Sequence, residues 1–295
     1  MRVTEGNFSA TFMQNVNRNR ERVSELQGQI ASGKKVMKVS DDPQAANIIM
    51  RLNNLTATNE KYIETIVHAQ SLVEITNQSL TEFSDMLTRV KEVTTRAISG
   101  GQVDAMRAAG EEIDQLLEEA VNLGNTKFDE KYIFGGTNST EKPFVLSASK
   151  DSVTKNLNGI DGTISLPIND GVKQTVNVNG EEAFHGTAIF DLLISMRDKL
   201  KSGIAPDITQ LNSLDGYISD ILNSVSKTGI MLQNLTNNEE YLEQQKTQLM
   251  SMLSIQQDTD VAEKVTELKH SELMLEAALS FGAKILPKSL LDFLR

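Results

Sequence analysis

Apolar side chains recur at both ends of this chain at alternating steps of four and three residues. Near the start they are Phe12, Val16, Val23, Leu26 and Ile30, interrupted once by Asn19. Near the finish Val261, Val265, Leu268, Leu275, Leu279 and Leu286 keep one phase, with Glu272 and Gly282 in the gaps. A mean step of 3.5 residues lays such side chains on one narrow seam of a helix, and a narrow seam wants another helix. Two such helices at opposite ends of a chain meet only if the chain doubles back. The pattern therefore predicts a hairpin with its N- and C-terminal helices paired.

The interior continues the pattern. After Ser32-Gly33-Lys34-Lys35 breaks the first helix, Val36-Met37-Lys38-Val39 suits a brief extended stretch. Ser40-Asp41-Asp42-Pro43 then starts a helix, with Asp42 to cap its free N–H groups and Pro43 at the first helical position. Its seam runs without a slip through Ile48, Leu52, Leu55, Asn59, Tyr62, Ile66, Ala69, Val73, Thr76, Leu80, Phe83, Leu87, Val90, Thr94 and Ala97. Gly100-Gly101 ends it, after roughly 80 Å. A third helix carries Met106, Ala109, Ile113, Leu116, Ala120 and Leu123, with Gly110 as a weak point and Gly124 at its end. A fourth begins after Pro206-Asp207 and keeps Leu211, Leu214, Ile218, Ile221, Val225, Leu232, Leu235, Leu242, Leu249 and Leu253 in phase. Thr228, Glu239 and Lys246 are its polar interruptions, and Asp258 or Asp260 caps the last helix. The two long arms are of similar length, which suits antiparallel packing.

The middle differs. Residues 128–186 hold seven of the eighteen glycines and two of the five prolines. Asn158-Gly159, Asp161-Gly162, Asp170-Gly171 and Asn179-Gly180 predict turns, and Thr163–Leu166 and Lys173–Val178 predict strands between them. Phe184, Ile189 and Phe190 lead back to a helix over Asp191 to Leu200. The expected fold class is mainly α with a small β-rich insert, an elongated antiparallel helical hairpin or bundle. The expected domains are a terminal coiled coil (1–41 with 258–295), a helical rod (42–127 with 187–257) and the inserted domain (128–186).

Composition narrows function. The 295 residues carry a formal charge of -11 and the pI is about 4.9, which argues against nucleic acid and anionic membrane as partners. Aromatics are 5%, with no Trp and no Cys, so disulfides and thiolate chemistry are excluded. The opening MRVTEGNFSATFMQ has no apolar signal-peptide core, and no run approaches the about 18 apolar residues of a membrane span. Composition alone points to a soluble, cytoplasmic protein.

Candidate chemistry is sparse. His68, His185 and His270 stand far apart and in no metal-ligand spacing. Glu111-Glu112 and Glu118-Glu119 diverge on a helix and suit a solvated acidic face. Gly135-Gly136-Thr137 lacks the ending of a phosphate loop, and Asn169-Asp170-Gly171 lacks the ligand series of a calcium loop. No catalytic residue, cofactor or metal site is predicted. The terminal helices, which add Phe8, Phe12, Phe281 and Phe293 to their heptads, suit either docking onto each other or assembly with other copies.

Several stretches resemble a known family. Ile30-Ala31-Ser32-Gly33-Lys34-Lys35-Val36, followed by Ser40-Asp41-Asp42-Pro43 and Ala45-Ala46, is similar to the signature near the start of bacterial flagellins and their hook-associated relatives. Ala262, Glu267-Leu268, Glu276-Ala277-Ala278 and Leu290-Leu291-Asp292-Phe293-Leu294 resemble the C-terminal helix of that family. Lys131-Tyr132-Ile133-Phe134-Gly135-Gly136-Thr137 is similar to a segment of its hook–filament junction branch, whereas Pro287 stands where many flagellins have a proline.

The resemblance implies a structural axial protein, not an enzyme, that joins the hook to the flagellin filament through a hook-associated adaptor. A small flagellin forming the filament itself is the other reading. It implies partners: flagellin, the adaptor, further copies in a ring-like axial layer, and a flagellar export chaperone. It implies type III export without a cleaved signal peptide to an extracellular place in the flagellum. The assembly interface it implies is Phe12, Val16, Val23, Leu26, Ile30, Val261, Val265, Leu268, Leu275 and Leu279, lining an inner tube with the insert facing outward.

Overall fold

The computed structural model describes residues 2–285, with side chains from 10 to 282. Leu286, Pro287 and Leu290–Leu294 lie outside the described residues, as does the side chain of Phe8. In chain order the helices are α1 (Arg2–Ser32), α2 (Pro43–Gly100), α3 (Val103–Gly124), α4 (Gly180–Phe184), α5 (Ala188–Lys201), α6 (Ile208–Gln257) and α7 (Val261–Ile285). Between α3 and α4 the strands β1 (Lys127–Phe128), β2 (Lys131–Tyr132), β3 (Phe144–Leu146), β4 (Val153–Lys155), β5 (Ser165–Asn169) and β6 (Val172–Thr175) pair consecutively as three antiparallel hairpins. The chain is mainly α with a small β insert, as its periodicities predict. Two compact units divide it: Met1–Thr58 with Lys246–Arg295, and Asn59–Gln245.

In the unit 59–245 the long helices run antiparallel, Lys91 Nζ standing 2.6 Å from Asp215 and Asn77 Nδ2 3.0 Å from the Val225 carbonyl. From Asn59 to Ala97 on α2, and from Leu211 to Leu242 on α6, no predicted seam position is exposed. Polar seam residues find partners: the Asn59 amide donates to the Leu242 carbonyl at 2.9 Å, and Thr228 Oγ1 accepts from Asn77 at 2.6 Å. The Thr94 hydroxyl is buried without a partner.

The insert is tied to the helices by aromatic packing. Phe83 of α2, Phe190 of α5 and Phe134, Phe144 and Phe184 of the segment between them are fully buried together. Their ring centroids lie 4.8–6.2 Å apart, mostly tilted or edge-to-face, the arrangement that ring quadrupoles favour.

Four local expectations need correction. Asn179-Gly180 is not a hairpin turn: Asn179 caps α4, its side chain accepting from Glu182 N at 2.8 Å, a role the Asn side chain fills as well as a turn. Gly110 is no weak point, because a Cβ there would lie 2.8 Å from Lys201 N and 3.2 Å from Arg197 O. Its missing side chain lets α5 pack closely on α3. The third insert hairpin, β5–β6, is offset, pairing 165–169 with 172–175 across Asp170-Gly171. There Asn177 replaces a ladder partner, accepting from Ile164 N at 2.7 Å and donating to the Gly162 carbonyl. Residues 36–39 form no strand, because Asp41 accepts from Met37 N at 3.2 Å and Lys38 N at 2.8 Å and folds the loop onto the start of α2. Asp42 caps α2 as its sequence predicts, accepting from Gln44 N and Ala45 N at 3.0 Å.

Candidate assembly surface

In the terminal unit α1 and α7 lie antiparallel. Phe12 packs on Gly282, Arg22 reaches Glu267 at 3.3 Å, and Lys34 bridges Asp258. The Lys35 N–H donates to the Gln257 carbonyl at 2.8 Å and the Thr259 N–H to the Gly33 carbonyl at 3.0 Å. Asp260 accepts from Ala262 N at 2.9 Å and so starts α7. The contacts of Phe12, Arg22, Gly33, Lys34 and Lys35 with residues 257–282 are what pair the two ends.

The heptad of α1 faces this partner. Val16 and Leu26 are buried, and Phe12, Asn19, Val23 and Ile30 are half-buried. On α7 only part of the predicted heptad turns inward. Leu268 and Leu275 are half-buried and Gly282 is buried, but the alternate inward positions belong to Lys264, Ser271 and Ala278. Val261, Val265 and Leu279 are 46%, 40% and 44% exposed. A Cβ at Gly282 would lie 2.3 Å from the Phe12 ring, so the glycine lets Phe12 close on α7 at that level. Met13, Leu273, Met274 and Phe281 are exposed besides, and the heptad does not single them out. Their signal is the run Leu273-Met274-Leu275, apolar on more than one helix face.

Charge does not oppose contact between copies of this unit. Residues 1–58 and 246–295 contain 14 Lys and Arg against 12 Asp and Glu, while 59–245 contain 15 against 28. The hydrogen bond from Lys264 holds the Glu267 carboxyl below its ordinary range, against its partial burial, and the charges of Lys264 and Arg22 add to it.

Elsewhere the charged groups are structural. Arg197, almost fully buried, donates to Asp114 at 3.0 Å and to the Lys150 carbonyl, joining α5, α3 and the β3–β4 turn. Burial pushes the Asp114 carboxyl up, but the hydrogen bond from Lys150 and the charges of Lys201 and Lys150 outweigh it and leave it below the usual range. Glu112 pairs with Arg89, Glu118 with Lys150 and Glu111 with Lys201, so three of the four paired carboxylates clamp elements together. His185 Nε2 lies 3.1 Å from Asp220 Oδ2, and His68 lies tilted against Phe128 with ring centroids 5.4 Å apart. Among the described residues no three His, Cys, Asp or Glu side chains gather as metal ligands. A cavity of about 220 Å³ between α2 and the hairpins is lined by His68, Leu72, Phe128, Tyr132, Leu166 and Val176 among others.

Residues 4–139 match the family described as bacterial flagellin N-terminal helical region. Flagellar hook-associated protein 3 of Escherichia coli K12 is 25% identical over 217 residues, covering 71% of this chain and 68% of that protein. The chain is thus similar to bacterial flagellins over residues 4–139 and to a flagellar hook-associated protein over most of its length. Flagellin B of Helicobacter pylori J99 is 26% identical over 223 residues, covering 72% of this chain and 43% of the flagellin. The crystal structure of Bacillus cereus FlgL shares the fold, with a TM-score of 0.60 and 23% identity over 69% of this chain and 99% of that one. The family match takes in α1 from residue 4, α2, α3 and the first insert hairpin.

Proposed function

We propose that this chain is a structural axial protein of the flagellum that joins the hook, through a hook-associated adaptor, to the flagellin filament. The observation that carries the reading is the outward apolar surface of α7, with Val261, Val265, Leu273, Met274, Leu279 and Phe281 exposed on one helix. Water is removed from such a surface by a neighbour, at roughly 25 cal/mol per Å² of apolar area. The match covers a larger share of the hook-associated relative, 68%, than of Flagellin B, 43%, which supports a junction over a filament subunit.

On this reading the terminal pair, 1–41 with 258–295, is the assembly domain. The rod, 42–127 with 187–257, supports it, and the insert, 128–186, faces outward. Val261, Val265 and Leu279 make contacts between subunits, whereas Val16 and Leu26 hold α1 inside its own pair. The copies form a short ring-like layer, exported by the type III route with a flagellar chaperone and without a cleaved signal. The work is mechanical, not catalytic. A small flagellin is the second reading, favoured by the match of residues 4–139 to the flagellin region. Electron microscopy of cells lacking the protein separates the two. Bare hooks with flagellin released into the medium are expected; filaments that still grow from hooks overturn the junction role.

A further inference from the structure

Sulfur is unevenly placed in this molecule. The chain has no cysteine, so its eleven methionines carry all of it. Those with described side chains divide by unit. Met13 on α1, Met37 in the loop before α2, Met50 on α2, Met250 and Met252 near the end of α6 and Met274 on α7 belong to the terminal unit, and all are 41–54% exposed. Met86, Met196 and Met231 of the other unit are at most 6% exposed, and Met106 packs against its core. The division is not one of apolar exposure in general. Among the described residues, unit 59–245 also exposes large apolar side chains, Leu157, Ile208 and Ile230 among them, and none is a methionine.

We infer that the terminal unit is a site of reversible oxidation. Peroxide converts its six exposed methionines to sulfoxides, the fold stays intact, and assembly stops until the sulfoxides are reduced. The effect on assembly rests on the assembly reading above; the chemistry does not. In each step the thioether sulfur attacks one oxygen of hydrogen peroxide, and the O–O bond breaks as the S–O bond forms. The other oxygen leaves as water, taking up the proton of the oxygen transferred. Sulfur loses two electrons and the peroxide gains them. With no cysteine in the chain, no thiol competes for the oxidant. Access to the sulfur decides which methionines react, so Met86, Met196 and Met231 react only when the core opens. The sulfoxide is polar and chiral where the thioether is apolar and flexible. At an exposed position it stays in water and leaves the fold alone. In a contact between subunits the same oxygen must shed its water against apolar neighbours, which is unfavourable unless a donor meets it. Each of the four helices of the terminal unit carries at least one of the six, except that Met37 stands in the loop, so oxidation alters the apolar surface of every one. Enzymatic reduction of the sulfoxide restores the thioether.

The test treats the full-length protein with hydrogen peroxide and follows each methionine by peptide mass spectrometry. Met13, Met37, Met50, Met250, Met252 and Met274 are expected to gain one oxygen at least about tenfold faster than Met86, Met196 and Met231. Far-UV circular dichroism and urea unfolding are expected to stay unchanged. The oxidised protein is expected to need a roughly tenfold higher concentration to assemble on hook fragments. The two methionine sulfoxide reductases, one for each epimer, are expected to reverse that change. A variant combining Met13→Leu, Met37→Leu, Met50→Leu, Met250→Leu, Met252→Leu and Met274→Leu nearly keeps side-chain volume and is expected to assemble equally well before and after peroxide. Equal oxidation of exposed and buried methionines, assembly unaffected by oxidation of the six, or inhibition that the reductases do not reverse overturns the inference and leaves the assembly reading intact. Inhibition that persists in the leucine variant does the same. Untreated protein that never assembles on hook fragments overturns the assembly reading, while the order of oxidation still decides the site.

Discussion

Replacing Gly110 by alanine sets helix propensity against packing, and packing should win. An interior helical glycine costs about 1 kcal/mol relative to alanine. Gly216 and Gly229 on α6 are exposed, and a Cβ at either meets nothing within 4 Å. Gly216→Ala and Gly229→Ala should each gain about that 1 kcal/mol. At Gly110 the added methyl lies 2.8 Å from Lys201 N and 3.2 Å from Arg197 O, and backbone atoms cannot swing aside as a side-chain tip does. α3 and α5 must move apart, which strains the bonds of Arg197 to Asp114 and to the Lys150 carbonyl. Overpacking of this kind costs about 1–3 kcal/mol. The net is a loss of about 1 kcal/mol, some 2 kcal/mol below the α6 controls. Urea unfolding followed by circular dichroism, with unchanged m-values, reads the difference. If Gly110→Ala proves as stabilising as Gly216→Ala, the close approach of α3 and α5 is not there.

Three further outcomes follow from the same packing. Phe184→Ala, at the centre of the five-ring cluster, should cost about 3–5 kcal/mol in urea unfolding; a cost under about 1 kcal/mol contradicts the cluster's role. Thr94→Val removes a buried hydroxyl with no partner and should stabilise by about 1 kcal/mol, whereas a loss on thermal unfolding means the hydroxyl is bonded. The Asp114 carboxyl has its folded pKa lowered by its cationic neighbours against burial. Its stabilising contribution is therefore complete above the unfolded value of about 3.9 and is lost as pH falls through the lower folded one. Unfolding free energy measured from pH 6 to 2 should fall less steeply in Asp114→Asn, and parallel curves refute the assignment.

The long arms are legible in the sequence because one strict period governs them. Large residues recur on one face of α2 and α6, and a polar position such as Asn59 keeps the phase by bonding a backbone carbonyl across the pair. α7 is less legible. Its stretch Leu273 to Leu279 offers apolar residues on several faces, and the inward one includes Gly282, whose smallness matters only once Phe12 is beside it. Asn179-Gly180 fits a tight turn or a helix cap equally well, and burial of Phe184 requires the cap. The β1–β2 hairpin was hidden for a different reason. Its loop residues, Asp129 and Glu130, take positive φ of 49° and 62° without a glycine, so the usual dipeptide signal is absent.

A junction subunit and a filament subunit differ in where along the flagellum the chain lies. Immunogold electron microscopy on sheared hook–filament preparations, with antibody against residues 128–186, distinguishes the two. Gold confined to a short band between hook and filament is the expected result. Gold spread along the filament would contradict the junction reading and make the chain a flagellin.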